Sequence, residues 1–297
     1  MWLGLIFGLA QAFTWAATTI ILRSLSNELD AFLVNGLRAI AGAVLIMLIV
    51  LLTGATGDYR LLTTTRLLYL IGSVAIGGVI GDAFYISSLK TLGVSRAFPI
   101  TNSYPMFTIL FSALFLGERI GWLMIAGAVL VMFGVYLLAR PRGRVLDANG
   151  ATLTRQQLVK GVLQAVLTAA LWGINTVVLS VGVQGINGAV ALSARVPAVI
   201  LLCLLAAAGR GKLGSLRRLD KGTILRLVGS GLLGWGISGW LYTNALQLAG
   251  PSKTSVIGAT APLFAVPLSA IFLHERPTRY TLVGTALSAL GIVLVVL

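Results

Sequence analysis

Two arginines and one aspartate stand where charge is costly. Arg38, Arg195 and Asp82 each lie inside a long apolar run of this 297-residue chain, and ionisable groups at such depth mark partners, relays or substrate paths. Arg38 follows Asp30 by eight residues and Arg195 follows Asn187 by eight, about 12 Å along a helix at 1.5 Å per residue. Asp82 precedes Lys90 by the same interval, so its depth matches that of Arg38. An ion pair between Asp82 and Arg38 leaves Arg195 unmatched, and a guanidinium so placed can grip a carboxylate through two parallel hydrogen bonds. Water or backbone carbonyls are the other way to satisfy Arg195, and snorkelling to the interface is the plainer reading of both arginines.

Other chemistry is scarce. Cys203 is the one cysteine and His274 the one histidine, which leaves no disulfide framework, no metal cluster and no implied cofactor. Cys203 reads as a small packed hydrophobe and His274 as an interfacial loop residue. The string GSGLLG, Gly229 to Gly234, matches a dinucleotide fingerprint only in letters. No strand precedes it, so helix contact through small residues is the better account, as it is for Gly4 with Gly8 and Gly127 with Gly134.

These residues must be positioned by membrane helices. Hydrophobic residues make up 58% of the chain and charged ones 10%, against about 25% charged in soluble domains, and the mean hydropathy is +0.98. The fold class is therefore all-α and membrane-embedded. Runs long enough to cross a hydrocarbon core of about 30 Å fall at 2–22, 31–53, 67–89, 94–116, 120–139, 158–180, 188–208, 223–248, 252–273 and 279–297. The first has no basic n-region and too long an apolar stretch for a secretory signal, so it is expected to stay in the mature chain.

Residues 1–140 overlay 158–297 at a constant shift of 157, with 141–157 as a basic linker. Trp15, Arg38, Tyr85, Pro105, Glu118 and Arg119 fall on Trp172, Arg195, Tyr242, Pro262, Glu275 and Arg276, and 11 of the 27 positions from Gly93 to Arg119 are identical to their partners. Shared Leu-Ala-Gly content does not produce matches in Trp, Tyr, Pro, Arg and Glu. Five spans per copy is odd, so the second copy enters the bilayer inverted, an arrangement that puts a substrate site near the midplane between the halves. Glu118-Arg119 and Glu275-Arg276 then mark short turns on opposite faces.

Ten spans in two halves, an arginine early in the second span, and a proline followed by an FxLGER-like helix end and an IxGxxLxxxGVxL span resemble the EamA family of the drug/metabolite transporter superfamily. The resemblance covers the whole chain and recurs in both halves, although the second copy reads HER where the first reads GER. It implies export of amino acids, drugs or other metabolites, with Arg38, Arg195, Pro105, Pro262, Glu118 and Glu275 as the positions carried over.

Loop charge gives an orientation. The face bearing the N-terminus, side A, holds Arg60, Arg66, Arg119 and Lys253, while side B holds sixteen basic residues. Lys and Arg accumulate in cytoplasmic loops, which makes B cytoplasmic and both termini extracytoplasmic, whereas the family resemblance implies termini inside. The expectation follows the charges. The net charge of +14 is explained by these loops and by anionic lipid headgroups, not by nucleic acid.

The expected substrate-binding set is Arg195, Arg38, Asp82, Trp15, Trp172, Tyr85, Tyr242, Asn102, Asn175 and Asn244, with Pro105 and Pro262 as hinges and no catalytic or metal residue. Scaffold should repeat between the halves and specificity should not, which singles out Asn102, Tyr104, Asn175 and Asn244. The function expected is secondary transport, read as export, of a small metabolite such as an amino acid or other carboxylate-bearing compound by alternating access. Its energy would come from an ion gradient such as that of protons, from exchange, or from the substrate's own gradient. A channel or a membrane-embedded enzyme is the alternative, against which stand the absent charge ring and the sparse acid-base inventory.

Overall fold

A computed structural model describes residues 2–138, 154–261, 263–264 and 279–297. Pro262, His274, Glu275 and Arg276 lie outside the described residues, so the expectations placed on them find no geometry here. The chain forms α1 (Trp2–Leu25), α2 (Ala31–Leu52), α3 (Thr64–Leu92), α4 (Val94–Thr101), α5 (Tyr104–Leu116), α6 (Trp122–Leu138), α7 (Arg155–Gly182), α8 (Gly188–Gly209), α9 (Lys221–Gly258) and α10 (Arg279–Val296). Six of them, α1, α2, α3, α7, α8 and α9, are individually long and apolar enough to cross a bilayer. The fourth span is made in two pieces, α4 and α5, and α9 carries the eighth span and the start of the ninth. Leu, Ile, Phe and Trp stand exposed on the helix surfaces, Leu52, Phe115, Trp122 and Leu225 among them. Lipid is the solvent that such a surface requires.

The breaks repeat as faithfully as the helices. A π-helical stretch, Val74–Gly81, interrupts α3, and another, Leu232–Ser238, interrupts α9 at nearly the same place in the second copy. The chain then turns back at a single glycine, Gly93 with φ 74° and ψ 169° and Gly250 with φ 79° and ψ 170°. Such a conformation is open to glycine and strained for other residues. After eight helical residues, both copies lose the helix for two residues, at Asn102–Ser103 and at Ala259–Thr260. Pro105 sits at the start of α5, just past the first of these gaps, where its missing N–H costs nothing. It opens a new helix instead of bending a continuous one.

Helix starts follow from local chemistry. Asp30 and its counterpart Asn187 cap α2 and α8 by accepting from the N–H of Phe32 at 3.0 Å and of Ala189 at 2.8 Å. Thr154 and Gln157 form a capping box, so α7 begins at Arg155, inside the stretch expected as linker.

Where helices of the two halves cross, glycine removes the side chain. A Cβ at Gly127 would lie 2.6 Å from the carbonyl of Gly291, and one at Gly134 would meet the carbonyl of Gly284 at 2.5 Å. Gly127 and Gly284, like Gly134 and Gly291, are counterparts, so α6 and α10 exchange contacts about a pseudo-two-fold axis. Gly4 and Gly8 press likewise on Leu248 and Ile257 of α9. Close backbone approach of this kind supplies the packing that apolar burial cannot supply in lipid.

Candidate functional site

A chain of polar side chains runs through the centre of the bundle and ties the halves together. Asp82 Oδ2 accepts from Arg38 Nη2 at 2.9 Å, and its Oδ1 accepts from Trp172 Nε1 of the second repeat at 3.0 Å. Arg38 Nε donates to Asn35 Oδ1 at 2.9 Å, and Trp235 Nε1 donates to the same oxygen at 3.1 Å. The Asn35 amide in turn donates to the carbonyl of Gly78 and to Cys203 Sγ. Arg38 also lies over the Trp235 ring, 5.6 Å from its centre. The ion pair read from matching depths is therefore formed. Both arginines are buried, 1% and 5% exposed, which rules out snorkelling.

Beside this chain lies a cavity with about 130 Å³ of space open to water-sized solutes, some ten times what one water molecule occupies on that measure. Trp15 and Trp172, Arg38 and Arg195, Gly77 and Gly234, Gly78 and Trp235, and Asp82 and Gly239 line it as counterpart pairs. Most of the remaining lining lies toward side A, Asn102 excepted. Thr176, Leu179, Leu192 and Tyr242 border the cavity from the side-A halves of their helices, whereas their counterparts Thr19, Leu22, Asn35 and Tyr85 do not border it. Glycine keeps the walls thin, since a Cβ at Gly77 would run into Asn175 and one at Gly234 would lie 2.8 Å from Arg38 Nη1.

Among the described residues Arg195 has no carboxylate partner. Its Nη2 donates to Asn175 Oδ1 at 3.1 Å, its Nε is buried without an acceptor, and among the described residues it makes no ion pair. Arg38 Nη1 is likewise buried and unpaired, as is Gln11 Oε1. Among the residues that line the cavity, two donors and one acceptor are thus buried without a partner, and a buried polar atom left so costs about 1–3 kcal/mol.

The structure gathers Trp15, Arg38, Asp82, Asn102, Trp172, Asn175, Arg195 and Tyr242 around the cavity. It separates the other two expected ligands from it. Tyr85 is fully buried, stacks on Trp15 and shares a hydrogen bond of 3.0 Å with Thr19. It supports the wall from behind, as its ring packing on Trp172 also shows. Asn244 turns its amide onto the Trp240 carbonyl at 2.7 Å, one turn back on its own helix, and packs on Gly188. Asn102 borders the cavity but spends its amide nitrogen on the Phe98 carbonyl at 2.7 Å, closing the frayed end of α4. Gln11, Asn35, Trp235 and Ser238 escaped sequence reasoning. Each differs from its counterpart, Thr168, Leu192, Gly78 and Gly81, so the rule that specificity breaks the repeat would have found them had it been applied to every polar residue in a span.

Ties between the halves also lie at both faces. On side B, Glu28 accepts from Arg226 at 2.7 and 2.8 Å and from Thr223 at 2.9 Å, and the Arg226 hydrogen bonds hold its carboxyl below the usual value. On side A, Glu118 accepts from Ser252 Oγ at 2.6 Å, so the turn of the GER motif is anchored on the opposite repeat.

An inverted repeat of membrane helices enclosing a polar chamber at its crossing is the build of a transporter. The sequence profile of the EamA-like transporter family matches residues 2–140 and again 159–297. The chain belongs to this family, within the drug/metabolite transporter superfamily, and is a multi-pass membrane protein. It is 26% identical over 297 residues to an uncharacterized transporter of Archaeoglobus fulgidus, covering 99% of this chain and 98% of that one. It is 28% identical over 197 residues to a probable terminal-alkyne amino-acid exporter of Streptantibioticus cattleyicolor, covering 64% and 60% of the two chains. One crystal structure shares the fold over 98% of this chain and 95% of its own, with a TM-score of 0.75 at 20% identity.

Proposed function

We propose that this transporter carries a small carboxylate-bearing metabolite of the amino-acid kind out of the cell by alternating access, with Arg195 as the group that grips the carboxylate. The observation that carries the reading is the state of that guanidinium: buried at the cavity wall, hydrogen-bonded among the described residues to a neutral amide alone, with one donor unsatisfied. Arg38, its counterpart, has Asp82. A planar fork so placed suits a carboxylate at two points, and pairing with it removes the cost of an uncompensated buried cation. The name of the Streptantibioticus relative supports the substrate class. The proposed membrane is the plasma membrane, with side A outside on the strength of loop charge. On that orientation the one-sided cavity leans to the exterior.

The test is uptake of labelled amino acids into proteoliposomes preloaded with the same solute. Counterflow in the parent that is lost in Arg195→Gln, with normal insertion and monodisperse behaviour of the variant, supports the reading. Counterflow unaffected by that substitution overturns it.

A further inference from the structure

A second groove, with about 530 Å³ of space, lies outside the central cavity, between α7 of the second repeat and α3 of the first. Val159, Leu163 and Leu167 recur at every fourth residue of α7, each about half exposed, and Phe84 of α3 completes the apolar wall. Arg155 and Lys160 line the end nearest side B. There Gly161 draws α7 onto the end of α3, since a Cβ would lie 2.7 Å from Leu92 and 3.1 Å from Thr91. From Arg155 to Leu167 the helix advances about 18 Å, close to one leaflet's share of a hydrocarbon core about 30 Å thick.

The two cations are not neutralised from nearby. Among the described residues neither makes an ion pair. The stretch 139–153 that leads into α7 carries Arg140, Arg142 and Arg144 against Asp147, so it adds positive charge to this end. Of the side-B acids, Glu28 and Asp30 already pair with Arg226 and Arg210, and Asp220 accepts from the Thr223 N–H. A second copy of this chain therefore has little free carboxylate to bring. The other repeat does not reproduce the arrangement: Lys160 falls on Leu3, and where side B has Gln164 and Ala83, side A has Phe7 packed on Trp240 at 5.9 Å.

We propose that this groove binds a phospholipid with an anionic headgroup, the acyl chain along Val159, Leu163, Leu167 and Phe84 and the headgroup phosphate at Arg155 and Lys160. An apolar trough of one leaflet's depth, capped by two unpaired cations at the interface, complements such a lipid in both shape and charge. The lipid is held by both repeats at once. It ties together the same two helices that the Asp82–Trp172 hydrogen bond joins deeper in the bundle.

The test follows Tm of the purified protein in an uncharged detergent as phosphatidylglycerol or phosphatidylcholine with the same acyl chains is added. Phosphatidylglycerol should raise Tm at concentrations about tenfold lower than phosphatidylcholine. Arg155→Gln with Lys160→Gln should abolish that preference, and because both side chains are exposed the lipid-free Tm should match the parent's. If it does not, Lys160→Gln alone is read, with part of the preference lost. Lys212→Gln with Arg217→Gln removes the same charge from exposed positions on the same face and should keep the preference. Leu163→Trp, which fills the trough, should weaken stabilisation by both lipids, and glycerophosphoglycerol, the headgroup without acyl chains, should not stabilise. The proposal is overturned by equal action of the two lipids on the parent, by a preference that survives the loss of Arg155 and Lys160, or by equal loss in the Lys212 and Arg217 control. An unchanged lipid response in Leu163→Trp, or stabilisation by the chain-free headgroup, overturns it too, by reducing the site to a surface that takes free phosphate. None of these outcomes depends on the reading of Arg195.

Discussion

Gly78 and Trp235 occupy the same position in the two repeats, and they touch. A Cβ on Gly78 would lie 2.7 Å from Cη2 of the Trp235 ring, and that ring cannot withdraw freely, because its Nε1 is bonded to Asn35 and its face carries Arg38. One copy has the smallest residue because the other has the largest. Gly78→Ala should therefore lower Tm, by an amount corresponding to about 1–3 kcal/mol of overpacking. Adding Trp235→Phe should recover part of the loss. Thermal unfolding of the purified variants, followed by size-exclusion chromatography, measures it, and an unchanged Tm in Gly78→Ala would show that the ring is not held.

The Asp82–Arg38 pair predicts a second pattern. Asp82→Asn or Arg38→Gln alone strands a buried charge, with an expected cost of about 3–5 kcal/mol, seen as poor yield and aggregation. The double neutral variant, Asp82→Asn with Arg38→Gln, should be better behaved than either single one. A charge swap should recover less, because an arginine at position 82 would set its donors against Trp172 Nε1. Equal yields for all four variants would count against the pair as a structural tie.

For Arg195 the expected split is between charge and shape. Arg195→Lys keeps the cation but loses the fork, so the transport KM for a carboxylate-bearing solute should rise about tenfold or more while insertion stays normal. Arg195→Gln should abolish transport. Asn175→Leu removes the one hydrogen bond that orients the guanidinium and should raise KM with little effect on Tm. An unaltered KM in all three variants would remove Arg195 from the site.

Orientation is tested by a reporter fused after Leu297. The four basic residues on side A against sixteen on side B predict an extracytoplasmic signal. A cytoplasmic signal would reverse the proposed sidedness and make the cavity lean inward.

Much of this architecture is legible in the sequence because its causes are local or periodic. Hydropathy fixes the spans, and the shift of 157 fixes their inverted pairing. Matching depths along rigid helices were enough to join Asp82 to Arg38. Residue identity alone did not say which way Tyr85 and Asn244 turn, because rotation about a helix axis is decided by neighbours. Tyr85 found Thr19, and Asn244 found a carbonyl of its own helix. Nor did it give the π-helical stretches, whose extra residue per turn leaves no mark in composition. Gln11 is marked in the sequence only by its departure from Thr168, its counterpart in the other repeat.

The one-sided cavity has a consequence for the vectorial character of transport. Under alternating access the repeats exchange roles, and the vestibule on side B would be walled by Thr19, Leu22, Asn35 and Tyr85 in place of Thr176, Leu179, Leu192 and Tyr242. Three of these four replacements are chemically identical, and the fourth sets the amide of Asn35 where Leu192 stood. The two vestibules are thus near copies with unequal polarity, so a solute should bind with different strength at the two faces. Such inequality shifts how long the protein waits in each state. It does not set which way net flux runs, because the same carrier equilibrates solute in both directions, and the gradients across the membrane decide between them.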